Sequence, residues 1–291
     1  MLPTPHPLPD DLVVSWSEID AWRQCPHKWL LSYYERWTGP TTSAPLRKGT
    51  LWHTVMELHY GQPNLRGSTQ VVGDYLKACD ESEEIVDLIL WMYTSYVVKW
   101  FEEDRRWEIL HVEHKLTLPL TSRIWVKCRL DLVIRDELGR IWLIDHKTGR
   151  NLPSDRELDL DDQFGLYHWL LRLAGYNVFG IIHNAARTQR NQSPMSLEER
   201  FKRSTTVRIP TELDTLGREI ESTARDIAVA RAALARGDTS TELVTPRHPD
   251  PERCRWRCDY TEPCLLGRKT SHARTQRMLL DLDFVQDFTR H

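Results

Sequence analysis

The 291-residue chain contains no run of 18 uncharged apolar residues; the nearest, Ile85 to Val98, is shorter and carries Asp87. That argues against a membrane-spanning helix. It contains no G-x-x-x-x-G-K-[ST] phosphate loop, so a helicase motor of that type is not encoded in it. No internal repeat points to a solenoid or propeller, and no low-complexity tract interrupts it. Charge of one sign is also missing: 39 Lys and Arg against 42 Asp and Glu leave a net charge of -3, which neither demands nor excludes a polyanionic partner. The first residues lack the basic and apolar regions of a signal peptide and are rich in proline, so 1–14 read as a loose leader.

What is present is a globular composition, 40% hydrophobic and 28% charged. Residues 15–291 read as one domain: a helical region (15–105), a core (106–210), a C-terminal helix with a cysteine cluster (211–270) and a tail (271–291). Ser15 with Glu18 three residues on is a capping-box pattern, and Pro26 should interrupt the helix that follows. Helical spacing recurs over 46–60 and 69–104. Alternation and β-branched residues then predict strands over 109–118, 124–135 and 140–147. A helix over 158–174, a strand over 178–184, a polar loop over 189–204 and an amphipathic helix over 212–235 complete a mixed α/β pattern.

The segment Leu130 to Gly149 reads as a β-hairpin turning at Asp136 to Arg140. That turn pairs Arg135 with Ile141, Val133 with Leu143 and Asp131 with Asp145, which sets two carboxylates opposite each other on one face. Lys147 falls on the same face by the period of two. Like charges so placed repel unless a cation lies between them, and oxygen ligands at that spacing suit Mg2+ or Mn2+. An exposed hairpin with ordinary surface charges is the bland alternative. Gln163 and Tyr167, four apart, share a face of the next helix, His53 sits on the second helix four residues after Gly49, and Glu113 stands mid-strand.

In this order, His53, Glu113, Arg129-Leu-Asp131, Asp145-His-Lys-Thr-Gly149 and Gln163-Phe-Gly-Leu-Tyr167 resemble the RecB-type nucleases of the PD-(D/E)XK superfamily, which include phage recombination exonucleases and CRISPR-adaptation nucleases. The resemblance implies a restriction-endonuclease-like mixed β-sheet core flanked by helices, with a helical N-terminal region. It implies that His53, Asp131, Asp145 and the carbonyl of His146 hold the metal and that Lys147 positions the hydrolytic water. Glu113, Gln163 and Tyr167 would support the site or the DNA phosphates. An imidazole ligand would make Mn2+ at least as good as Mg2+.

Six cysteines without an export signal point to the reducing cytoplasm, where three clustered cysteines are more often ligands than disulfides. Some nucleases of this kind hold a [4Fe–4S] cluster with one N-terminal and three C-terminal cysteines. Cys25, Cys254, Cys258 and Cys264 match that arrangement, except that three residues rather than two separate Cys254 from Cys258. Four thiolates also suffice for Zn2+. Cys79 and Cys128 read as plain structural residues.

Local charge points to nucleic acid where net charge does not. Six Lys and Arg against two Glu lie between Ala185 and Pro210, and a second basic stretch runs over 252–277. Trp22, Trp29, Trp37 and Trp256 offer surfaces for base stacking. The expected function is a metal-dependent DNA exonuclease acting on single-stranded or end-frayed DNA. Recombination, replication or end trimming in CRISPR adaptation, with protein partners from either setting, stay open. The alternative is a non-catalytic DNA-binding accessory protein stabilised by an Fe–S cluster or zinc.

Overall fold

The computed structural model describes residues 6–38, 44–190, 195–237, 239–266 and 273–274. The chain forms two compact units. The first holds the chain from Ser43 to Leu118 and from Lys127 to Arg218. The second holds the N-terminal segment from Pro7, the stretch Pro119–Val126 and the chain from Glu219 onward.

In the first unit, α3 (Ala44–Gly61), α4 (Thr69–Ala78) and α5 (Glu83–Asp104) precede the sheet. Helix α3 buries Leu51, Trp52, Val55, Met56, His59 and Tyr60, and α5 buries Ile85, Leu88, Ile89, Met92, Tyr93 and Tyr96. These spacings of three and four put each set on one helical face. Both stripes join Leu132, Ile134, Trp142, Ile144, Ile182 and Ala186 of the sheet in one hydrophobic cluster. Emptying it by Trp52→Ala would cost about 3–5 kcal/mol.

The sheet has six strands: β1 (Leu12–Ser15), β3 (Glu108–Pro119), β4 (Ile124–Arg135), β5 (Ile141–Gly149), β6 (Val178–Arg187) and β7 (Phe201–Thr206). The order is β1-β4-β5-β6-β7, with β3 also paired to β4. Strand β5 runs antiparallel to β4 and parallel to β6. Parallel neighbours require a crossover, supplied by α6 (Asp155–Asp159) and α7 (Asp162–Leu173). The helix expected over 158–174 is split because Asp161 caps the second piece, its Oδ1 accepting from the Gln163 N–H at 2.8 Å. The architecture is the mixed sheet flanked by helices that the resemblance implied.

The β4–β5 turn closes as the sequence predicts. Arg135 faces Ile141 and Val133 faces Leu143. Asp136 Oδ1 accepts from the N–H groups of Leu138 and Arg140, and Gly139 takes φ 78°, a conformation glycine adopts without strain. The polar stretch expected as a loop over 189–204 folds in part: residues 191–194 lie outside the described residues, while α8 (Leu197–Arg200) and β7 follow. A capping box at Ser196 and Glu199 starts α8, and β7 completes the edge beside β6.

In the second unit, α1 (Trp16–Gln24) starts at the Ser15 cap, whose hydroxyl accepts from the Glu18 N–H. The Glu18 side chain does not close the expected box; it is buried against Trp29 Nε1 at 2.9 Å and Arg231 at 2.7 Å. Pro26 ends α1 and opens α2 (Pro26–Trp29), followed by a π-helical turn over Leu30–Tyr34 and β2 (Trp37–Thr38). The expected leader is shorter than predicted, since Leu12 enters β1 and donates to the carbonyl of Arg123 at 3.0 Å. Helix α9 (Pro210–Arg236) begins in the first unit and ends in the second. Short helices α10 (Thr241–Val244), α11 (Pro251–Trp256) and α12 (Thr261–Leu266) follow, and β8 (Ala273–Arg274) pairs with β2. Most of the expected tail lies outside the described residues.

Candidate active site

Strand alternation aims Leu132, Ile144 and Ile182 at α3 and α5 and puts Asp145 and Lys147 on the opposite face of β5. The β4–β5 ladder stops at Leu132 and Ile144, one step short of the expected carboxylate pair. The next donor, the N–H of His146, is taken at 2.7 Å by Asp131 Oδ2. This charge-assisted bond turns one carboxylate oxygen into the strand and leaves Oδ1 3.4 Å from His53 Nδ1 on α3. Gly49, one turn before His53, faces β5: a Cβ there would stand in ordinary contact with the Thr148 hydroxyl at 3.6 Å.

Glu113 completes this group. One ligand atom from each of His53, Glu113 and Asp131 lies within 4.8 Å of the others, near the spacing at which one divalent cation gathers its ligands. Glu113 reaches the site from an unusual backbone position, φ 49° within β3. This left-handed conformation costs an L-residue about 1–2 kcal/mol. Arg129 forms a close ion pair with Glu113 and lies 3.8 Å from Glu57.

Asp145 and Lys147 form the second group. Lys147 Nζ lies 3.1 Å from Asp145 Oδ2 but donates to Oδ1, at 3.2 Å, so the buried Oδ2 has no hydrogen bond. Lys147 also reaches Gln163 Oε1 at 3.3 Å, and Gln163 Nε2 donates to the Tyr167 hydroxyl at 2.6 Å. Gly165 between them lets α7 close on α9: a Cβ there would stand 2.4 Å from Leu216 Cδ2.

Burial raises Asp145 to about 7, with Lys147 opposing and Asp131 adding to the rise. Burial also raises Glu113 to about 6, Asp131 adding and Arg129 opposing. Burial alone would lower His53 and Lys147, but Asp131 holds His53 above the usual imidazole range and Asp145 holds Lys147 up. For Asp131, burial is outweighed by His53 and by the His146 N–H, and its pKa falls. The His146 ring is buried on the other face, pushed by burial down to about 3, with Nδ1 2.9 Å from Asn184 Nδ2 and Tyr60 stacked on it. Asp145 Oδ2, buried without a hydrogen bond, is an oxygen that a cation could satisfy. The donor set of imidazole and carboxylates fits a divalent ion.

In the second unit, Cys25, Cys254, Cys258 and Cys264 line one cavity of about 210 Å3 together with Arg247, His248 and Tyr260. The N–H of His248 points at Cys25 Sγ at 3.3 Å, and that of Asp250 at Cys254 Sγ at 3.5 Å. Burial raises the Cys264 thiol, while Arg247 opposes that rise. Among the described residues no three of these sulfurs lie within 4.8 Å of one another. A tetrahedral zinc with 2.3 Å bonds would draw every pair to about 3.8 Å.

The sequence profile of the PD-(D/E)XK nuclease superfamily matches residues 13–265, most of the chain. The chain belongs to that superfamily. No curated protein matches it. Two solved structures are similar at low identity. One is a protein from Eubacterium rectale with a provisional exonuclease description (12% identity, TM-score 0.49, covering 84% of this chain and 87% of that one). The other is the protein SSO0001 (13% identity, TM-score 0.38, covering 89% of each chain). PD-(D/E)XK nucleases use divalent metals, and the His53, Glu113 and Asp131 group is a site of the right kind. No helix among the described residues is long and apolar enough to cross a membrane.

Of the residues the sequence pointed to, the nuclease fold gathers His53, Glu113 and Asp131 in one group and Asp145, Lys147, Gln163 and Tyr167 in another. Glu113, expected only to support the site, stands among the candidate ligands. Asp145, expected as a ligand, is engaged by Lys147. Arg129 and Asp161 were not assigned roles. Arg129 belongs to the R-x-D context of Asp131, and the Asp161 charge adds to the field that holds Lys147 protonated. Trp29 and Trp37 are core residues rather than stacking surfaces, whereas Trp256 is exposed.

Proposed function

We propose that the protein is a divalent-metal-dependent deoxyribonuclease, an exonuclease that acts on single-stranded or end-frayed DNA. The observation that carries this reading is the Lys147 ammonium, shared between Asp145 and Gln163 beside the His53, Glu113 and Asp131 cluster. His53, Asp131 and Asp145 would hold the ion, with Glu113 adjoining and the carbonyl of His146 as a further ligand. The bound ion would supply charge neutralisation at the scissile phosphate and a more acidic water.

The protein's own groups do the rest. Asp131 is held in register by the His146 N–H, and its other oxygen is free to share a ligand position with His53. His53 must lose its proton to bind a metal, so metal affinity should rise with pH through its raised pKa. Lys147, kept cationic by Asp145, would orient the attacking water and stabilise the charge that builds on the phosphate. Tyr167 fixes Gln163, and Gln163 fixes Lys147.

For the four cysteines the reading is a structural [4Fe–4S] cluster, with Zn2+ as the alternative. The four-cysteine set supports this reading, and the N–H groups aimed at Cys25 and Cys254 suit anionic sulfur.

The test is incubation of purified protein with end-labelled single- and double-stranded DNA in EDTA, Mg2+, Mn2+ and Ca2+. Progressive loss of label from the ends of single strands in Mn2+ or Mg2+, and none in EDTA or Ca2+, is expected. Full activity in EDTA would remove the metal mechanism, and cleavage of closed circles would remove the exonuclease assignment. Metal-dependent binding without cleavage would favour the accessory-protein alternative.

A further inference from the structure

Of the six basic residues between Ala185 and Pro210, the fold neutralises half. Lys202 is paired with Asp155 at 2.8 Å, Arg203 with Asp104 at 2.6 Å and Glu103 at 2.8 Å, and Arg208 with Glu212. Arg187, Arg190 and Arg200 have no carboxylate partner among the described residues, and neither does Arg150. Each is nevertheless held. Arg187 donates to the Arg150 carbonyl at 2.8 Å, Arg150 to Gln189 Oε1 at 3.2 Å, Arg190 to the Asp87 carbonyl at 2.7 Å and Arg200 to Ser95 Oγ at 2.9 Å. Every partner is neutral, so the contacts fix the guanidiniums without cancelling their charge. A guanidinium has five N–H donors, and these contacts leave several of them unspent.

The four lie in sequence from the catalytic strand outward. Lys147 is opposite Ala185 in the β5–β6 ladder and Gly149 is opposite Arg187, so Arg187 stands about 7 Å further along than Lys147 at the usual rise of a strand. Arg150 follows Gly149, and Arg190 lies three residues beyond Arg187. Arg190 and Arg200 then meet at one ring: their guanidinium carbons lie 4.8 and 4.5 Å from the centre of Trp91. Four guanidiniums held by neutral hydrogen-bond partners, with Glu199 near enough to Arg187 to feel its charge, favour a polyanion that releases its own counterions on binding.

We propose that Arg150, Arg187, Arg190 and Arg200 form a phosphate track for one strand of DNA, running from the Asp145 and Lys147 site across the ends of β5 and β6 onto Trp91. The proposal rests on the nuclease reading and names where the strand lies. A narrow row of cations ending at an aromatic ring fits a single strand, whose backbone bends to follow it and whose bases are free to stack.

The test is the salt dependence of binding to a fluorescein-labelled oligothymidylate, read by anisotropy in Ca2+, for three variants and the wild type. Arg150→Ala with Arg187→Ala, and Arg190→Ala with Arg200→Ala, should each lower the slope of log K against log salt by about 1.4, near 0.7 per lost phosphate contact. Arg105→Ala, exposed just past the end of α5 and ion-paired with Glu102 at 2.7 Å, should leave it unchanged. The first pair lies at strand ends near the surface and carries the test even if loss of Arg200 unfolds the chain. Unchanged slopes in a folded double variant, with wild type that cleaves in Mn2+, would overturn the track. Equal losses on a blunt duplex would overturn the single-strand assignment. Wild type that neither binds nor cleaves would instead sink the nuclease reading.

Discussion

Lys147 Nζ stands 3.1 Å from Oδ2 and 3.2 Å from Oδ1 of Asp145, two residues back on the same strand. The pair sits where β5, antiparallel to β4 on one side and parallel to β6 on the other, emerges from the sheet. One ammonium does not fully compensate a carboxylate this deeply buried, which is why Asp145 titrates near 7. A divalent ion would supply the remaining charge.

Asp145→Asn tests that imbalance without changing the side chain's shape. Cleavage should fall by at least about 100-fold, since the variant loses a proposed anionic ligand and Lys147 loses its counter-charge. In EDTA the variant should lose less stability than wild type as pH rises. Between the unfolded pKa of Asp145 and its folded value near 7 the native state binds the extra proton, so wild-type stability falls with rising pH across about 4 to 7. The difference reaches about 4 kcal/mol at most, and denaturant melts at pH 4.5 and pH 8 would show it. Parallel curves for the two proteins would mean that Asp145 is ionised throughout.

Tyr167→Phe removes only the hydroxyl that takes the Gln163 amide hydrogen at 2.6 Å. Gln163 then no longer fixes the Lys147 ammonium. Turnover should drop by about 10-fold with little change in DNA affinity, whereas Lys147→Ala should cost at least about 100-fold. Steady-state kinetics on a labelled oligonucleotide separates the two effects. Equal losses in both variants would place Tyr167 in direct contact with substrate.

Glu113 offers a test independent of activity. Glycine in a strand is ordinarily less stable than alanine by about 0.5–1 kcal/mol. At φ 49° the order should invert, with Glu113→Gly more stable than Glu113→Ala by about 1 kcal/mol. Both variants lose the carboxylate and its ion pair with Arg129, so the comparison isolates the backbone. Thermal melts of the two decide it, and alanine more stable than glycine would contradict the left-handed geometry.

Cys258→Ser should abolish the broad visible absorbance of an iron–sulfur protein and lower Tm by several degrees, while Cys79→Ser and Cys128→Ser leave the spectrum intact. Absorbance and iron analysis of anaerobically purified protein provide the check. A colourless wild type containing one zinc per chain would assign the site to Zn2+.

The sequence by itself determined the elements and the motif order. Periods of two and 3.6, the Asp136 to Gly139 turn and the break at Pro26 depend on hydrogen bonds and sterics within a few residues, which composition and spacing encode directly. The β4–β5 register from Arg135 opposite Ile141 was legible for the same reason. Only the tertiary structure decided that this register ends before Asp131 meets Asp145, because the His146 N–H finds a carboxylate instead of a carbonyl. It alone placed Glu113 beside His53 and divided the basic residues into neutralised and unpaired sets. Arg203 and Asp104 are 99 positions apart, and which charge meets which is set by burial and packing across strands, a long-range energy balance that local spacing does not express.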